Sequence, residues 1–155
     1  PNTINSTYEF PDAGPRGKMI VFDTRPWITN DEGGAKIGNV FYGSEGYMVI
    51  DTYTRYKTFL GPKEEPGPTN DDGNDMNHYT NFIDAIRAND PSMVNAPIEE
   101  GHKSSAMCHL GLISTKVGRA IEFDPATETI KGDPEASKML TRTYRAPFVV
   151  PEISA

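Results

Sequence analysis

Residues 101–119 read GHKSSAMCHLGLISTKVGR. Ala106, Leu110, Ile113 and Val117 recur at steps of four, three and four, which places them on one side of an α-helix. The pattern predicts a helix from about Ile98 to Lys116, stopped at Gly118, where glycine accepts the left-handed turn that closes many helices. A helix with a single apolar stripe needs another layer against it, and the first half of the chain supplies the strands for one.

Thr7–Phe10 alternates and then meets the turn cluster Pro11-Asp-Ala-Gly-Pro15. Lys18–Arg25 is rich in strand formers and stops at Pro26. Val40–Tyr42 and Tyr47–Ile50 flank Gly43-Ser-Glu-Gly46, which reads as a hairpin. Tyr53–Leu60 sets Tyr53, Arg55, Lys57 and Phe59 on one side and Thr54, Tyr56, Thr58 and Leu60 on the other, with burial open between the two. Four or more strands joined by short connections imply mainly antiparallel pairing.

Residues 61–74 hold three prolines and no large apolar side chain, and read as a long surface loop. Beyond it, Met76, Tyr79, Phe82, Ile83 and Ile86 are spaced for one face of a helix capped by Asp72 or Asn74. Ala120–Phe123 reads as a short strand. A last helix opens at Asp133 with Pro134 in its first turn, burying Ala136, Leu140 and Tyr144. The expectation is one α+β domain over 1–155: strand-rich 1–60, a Pro/Gly-rich loop over 61–74, and a helix-rich part over 75–155.

Composition narrows the class. Fourteen Gly and 13 Pro in 155 residues call for long loops, while seven Phe, seven Tyr and one Trp supply the large surfaces that disordered chains lack. A net charge of −7 without any basic stripe argues against a nucleic-acid partner, because phosphate binding needs clustered Lys and Arg. Nothing approaches the roughly 18 apolar residues of a membrane span, and no segment reads as a signal peptide. The single cysteine, Cys108, excludes an internal disulfide and is expected as a small buried residue of its helix.

The polar motifs mostly carry no chemistry. His102 and His109 stand two helical turns apart, about 10 Å, too far to share one metal. The acidic runs Asn30-Asp-Glu32 and Asn70-Asp-Asp-Gly-Asn-Asp75 lack the order of a calcium loop, so no metal ligand is expected. No glycine set has the Gly-x-Gly-x-x-Gly spacing of a dinucleotide turn, and this chain alone is expected to bind no cofactor. Lys63-Glu-Glu-Pro66 sits in the Pro-rich loop without the desolvated setting of a catalytic lysine, and no catalytic residue is assigned. Arg25-Pro-Trp-Ile-Thr-Asn-Asp31 is different. It leaves a strand and sets an aromatic plane beside polar groups, a usual way to hold a sugar or cyclitol ring. Arg25, Trp27 and Asn30 are therefore the candidate substrate-binding residues. The alternative is that Trp27 plugs the end of the sheet or an oligomer interface.

In order and spacing, Gly101–Arg119, Phe123-Asp-Pro125, Gly132-Asp-Pro-Glu-Ala136 and Tyr144-Arg-Ala-Pro147 resemble the C-terminal domain of bacterial-type Gfo/Idh/MocA oxidoreductases. These are the relatives of glucose-fructose oxidoreductase and inositol dehydrogenase. Asn81–Arg87 is similar to the preceding helix of that domain, and Phe41–Tyr47 to its sheet hairpin. The resemblance implies a large, mostly antiparallel sheet with helices packed on one face, as also in glyceraldehyde-3-phosphate dehydrogenase. It implies that the dinucleotide-binding domain, with NAD or NADP and the catalytic lysine, lies outside this chain and partners it. It further implies homo-oligomers formed through the sheet, a sugar-like or cyclitol alcohol as substrate, and a bacterial cytoplasmic or periplasmic enzyme. The competing reading is a stand-alone carbohydrate-binding or dimerisation module without dehydrogenase activity.

Overall fold

The computed structural model describes residues 2–26, 31–71 and 76–150. The chain divides into two compact units, residues 3–23 with 102–155 and residues 24–101.

The first unit is built on the helix that the 101–119 stretch predicts. Strands β1 (Ile4–Phe10) and β2 (Lys18–Thr24) pair with one another, and α2 spans Ile98–Val117; α1 belongs to the other unit and is given below. Gly118, at φ 69°, closes α2 by donating to the Ser114 carbonyl at 2.9 Å. The stripe faces inward as expected, with Ile113 only 5% exposed and Leu110 and Val117 half-buried. They pack with Ile121, Phe123, Ile130 and Ala136, which come from the hairpin β7 (Glu122–Asp124) and β8 (Thr129–Lys131) and from the short helix α3 (Pro134–Ser137). Tyr8 lies across α2, its hydroxyl donating to the Met107 carbonyl at 2.6 Å. Gly111 is buried there because a Cβ would collide with the hydroxyls of Tyr8 and Ser6.

The second unit holds a four-stranded antiparallel meander, β3 (Asn39–Tyr42), β4 (Gly46–Ile50), β5 (Tyr56–Leu60) and β6 (Glu65–Asn70), in that spatial order. The 43–46 hairpin forms as read. Gly46 is required because a Cβ would meet the Phe59 carbonyl. β6 lies inside the stretch expected as loop. Its Pro66 and Pro68 fit because it is an edge strand, where one row of donors needs no neighbour, and the ladder breaks register between Lys57 and Phe59. After it come α1 (Met76–Ala88) and a 3-10 turn, Pro91–Met93. Asn81 ties α1 to that turn, donating to the Met93 carbonyl at 2.6 Å and accepting from the Asn95 amide at 2.9 Å.

Four expectations are corrected. The single large sheet is replaced by separate sheets of two, four and two strands among the described residues. The stripe of α1 is not the buried face it is read as: α1 packs on the 3-10 turn, and Tyr79, Phe82, Ile83 and Ile86 are exposed. Leu140 and Tyr144 are exposed, because α3 is a single turn ending at Ser137. Cys108 is exposed too, lying off the Ala106–Leu110–Ile113–Val117 stripe.

Candidate functional site

Of the residues chosen from sequence, Arg25 follows β2 and is exposed. Trp27 and Asn30 lie outside the described residues. The chain is then fixed immediately afterwards. Glu32 and Ala35 exchange backbone hydrogen bonds of 3.1 and 3.0 Å, closing a tight turn. Gly33, at φ 58°, seats that turn on the sheet so closely that a Cβ would stand 2.8 Å from Val49 Cγ2. Val49 is buried beneath it. The Glu32 carboxylate accepts a 2.5 Å hydrogen bond from the Tyr42 hydroxyl, which anchors the turn to β3.

Register explains what lies beside that anchor. Directly opposed residues of an antiparallel ladder share a face, and Tyr42 opposes Tyr47, which opposes Phe59, which opposes Pro66. The rings form a row, Tyr47 stacked on Phe59 with centroids 4.9 Å apart and tilted against Tyr42 at 5.9 Å. The Glu32 carboxylate pushes the Tyr42 phenol above its ordinary pKa. Burial does the same for Tyr47, assisted by Glu64, a turn residue at φ 53°. A phenol raised in this way stays protonated near neutral pH. Tyr42 and Tyr47 are therefore donors that staple turns to the sheet, and neither is set up as a base.

The opposite face of the sheet carries Phe41, Met48, Thr58 and Leu60. Together with the 42–47 hairpin they line a shallow hollow of about 390 Å³. Thr58 donates to the Pro68 carbonyl at 2.6 Å, so its hydroxyl proton is already committed within the sheet. The floor of the hollow is mainly apolar, with polar backbone at its hairpin rim.

The conspicuous polar groups of the first unit are structural. Arg119 grips Asp133 with both ends of its guanidinium, at 2.8 and 2.7 Å, and Glu135 at 2.8 Å. Asp133 in turn caps α3, accepting from the Ala136 amide at 3.0 Å. The Arg119 guanidinium holds the Asp133 carboxyl down to about 2. The Gly118-Arg119 and Gly132-Asp-Pro-Glu motifs are thus two halves of one clamp. His102 Nε2 lies 2.7 Å from Oε1 of Glu128 in the β7–β8 turn. Among the described residues no group of three His, Cys, Asp or Glu side chains is placed to hold a metal.

The described residues do not fit a dinucleotide. Pyrophosphate binding needs a strand, a glycine-rich turn and the free N-terminus of a substantial helix. The nearest arrangement is β8, Gly132 and α3, but that helix has four residues and Asp133 already occupies its N-terminus. No step of chemistry is assigned to this chain through such a group.

A family model described as an oxidoreductase family C-terminal alpha/beta domain matches residues 68–150, just over half of the chain. It takes in α1, α2, the β7–β8 hairpin and α3, and it starts after the Phe41–Tyr47 hairpin. No curated protein and no solved structure matches. Sequence reasoning missed the Glu32–Tyr42 and Glu64–Tyr47 pairs. The hairpin was legible and sets Tyr42 opposite Tyr47, but which turn carboxylate folds back onto each phenol depends on tertiary placement.

Proposed function

The chain belongs to the Gfo/Idh/MocA oxidoreductase family, through that family's C-terminal alpha/beta domain, and from this premise we propose that it is the substrate-site and oligomerisation part of an NAD(P)-dependent oxidoreductase. The substrate is a sugar-like or cyclitol alcohol. In such an enzyme the dinucleotide supplies the hydride acceptor, held by a dinucleotide-binding domain that partners this chain. This chain contributes walls to the alcohol's site and is inactive alone.

The observation that carries the reading is the family match over residues 68–150. Supporting it, the segment from Arg25 to Asn30 combines a cation, an indole and an amide, and it ends on the turn that Glu32 and Tyr42 fasten to the sheet. In this role Trp27 offers its plane to the C–H face of the ring, while Arg25 and Asn30 bond the hydroxyls. The second part of the reading is that copies associate through the four-stranded sheet.

Trp27 is the one tryptophan of the chain, which makes its fluorescence a clean reporter. Titration with a panel of pyranoses and cyclitols should give a saturable change with at least one of them at millimolar concentration, lost in Arg25→Ala and Asn30→Ala. No saturable response to any polyol would remove the substrate-site assignment.

A further inference from the structure

The motif Tyr144-Arg-Ala-Pro147 has no part in the candidate site, and it lies on a segment unlike the rest of the chain. α3, whose N-terminus the Arg119 clamp holds, ends at Ser137, and from Lys138 to Val150 every residue is exposed. Its side chains are of the kind that folding ordinarily covers: Phe148, Val149 and Val150 are 69%, 58% and 57% exposed, with Met139, Leu140 and Tyr144 open beside them. The segment is nonetheless shaped. The Phe148 amide donates to the Arg145 carbonyl at 2.8 Å, closing a turn. Arg142 stands 5.9 Å over the Tyr144 ring, and Arg145 stands 5.5 Å over that of Phe148. The family model runs on to residue 150, so this arm is part of the domain.

Lys138, Arg142 and Arg145 give residues 138–150 a charge of +3 with no acid, whereas the whole chain carries −7, so the other residues carry −10. We infer that the arm docks on the acidic surface of a second copy of this chain, each protomer giving its arm to the other. The arm is no part of the four-stranded sheet, so the contact is independent of association through those strands.

Composition and charge select that occupant. Arginine, tyrosine, phenylalanine and methionine are the residue types that interfaces concentrate. An arginine stacked on a ring is already held in place and keeps its N–H edge for a carboxylate, so less freedom is lost on docking. A polyphosphate or an anionic lipid surface would also attract the arm, but it would repel the −10 that comes with it, which three cations do not offset. An acidic protein surface is the match, and an identical chain supplies one at the same concentration as the arm. Exposure along the whole of 138–150 shows that the arm's own protomer does not take it up. Reciprocal exchange satisfies both arms and closes at two copies.

Fluorescence anisotropy tests it, with a labelled peptide of residues 138–150 as the probe. The receptor is the full chain carrying Arg142→Glu and Arg145→Glu, which disables its own arm. Circular dichroism verifies that this double variant is folded, as expected for two exposed positions. Saturable binding is expected at about 10–100 μM. It should weaken about tenfold or more as salt rises from about 0.05 to about 0.5 M, because the contact joins opposite charges. A peptide carrying the same two substitutions should not bind. In sedimentation, the wild-type full chain should associate about tenfold or more tightly than the double variant, the size expected when interface arginines are lost. No saturable binding of the wild-type peptide, or binding indifferent to salt, overturns the inference. Equal association constants for the wild-type chain and the double variant overturn it too, and leave association through the sheet standing.

Discussion

Replacing Ile113 with alanine removes three carbons from the centre of the first unit, where Ile113, Ile130 and Ala136 form the buried core. At 5% exposure nearly all of that side chain is out of water. Three carbons at about 0.8 kcal/mol each amount to about 2.4 kcal/mol of lost transfer energy. The cavity left behind adds about 1 kcal/mol, since Ile130 is held in the β7–β8 ladder and cannot fully collapse into it. The expected cost is therefore about 3–4 kcal/mol, a large share of the about 5–15 kcal/mol by which domains are stable. The matched control is Ile37→Ala, the same chemistry at a residue 88% exposed, with an expected cost below about 0.5 kcal/mol. Urea denaturation followed by the helical dichroism signal measures both, provided that the slope is unchanged between variants. Equal midpoints for Ile113→Ala and Ile37→Ala would show that the inward face of α2 is misassigned.

Two further outcomes follow from the first unit. Asp133 is depressed from 3.8 to about 2 by Arg119, so the folded state favours its ionised form. A depressed acid contributes stability above its unfolded pKa and loses it as pH falls through the folded value. Unfolding midpoints should thus fall between about pH 4 and pH 2 by a component that Asp133→Asn abolishes, and an identical pH profile for that variant would refute the clamp. Gly111→Ala gains about 1 kcal/mol of helix propensity but drives a methyl into Tyr8 and Ser6. Overpacking costs about 1–3 kcal/mol, so a net loss of stability is expected, and a rise in the melting midpoint would refute the close crossing of β1 over α2.

Much of the fold is legible because it is local. The stripe of α2, its glycine stop, the 43–46 hairpin and the Asp133 cap each depend on residues within a few positions of one another, and each forms as read. What the sequence withheld is non-local. Pro66 and Pro68 spell loop until it is known that their strand lies at an edge. Tyr79, Phe82, Ile83 and Ile86 spell a buried face, but periodicity states only that the face is apolar and not which surface covers it. The strand at 120–123 is legible, whereas β8 is not, since Thr-Ile-Lys is too short to show alternation before its partner is known. At the candidate site, Arg25 was legible as a cation leaving a strand. The fastening of Glu32 to Tyr42 was not, because it joins a turn to a strand ten residues away.

Saturation-transfer difference NMR on the isolated chain, with a cyclitol and NADH in the same tube, tests the central claim most directly. If this chain lines the alcohol's side of an oxidoreductase site, as proposed, transfer to the polyol should appear and should disappear in Trp27→Ala. Because the described residues hold no dinucleotide turn, no saturable transfer to NADH is expected below millimolar concentration. Micromolar, saturable binding of NADH with no transfer to any polyol would contradict it.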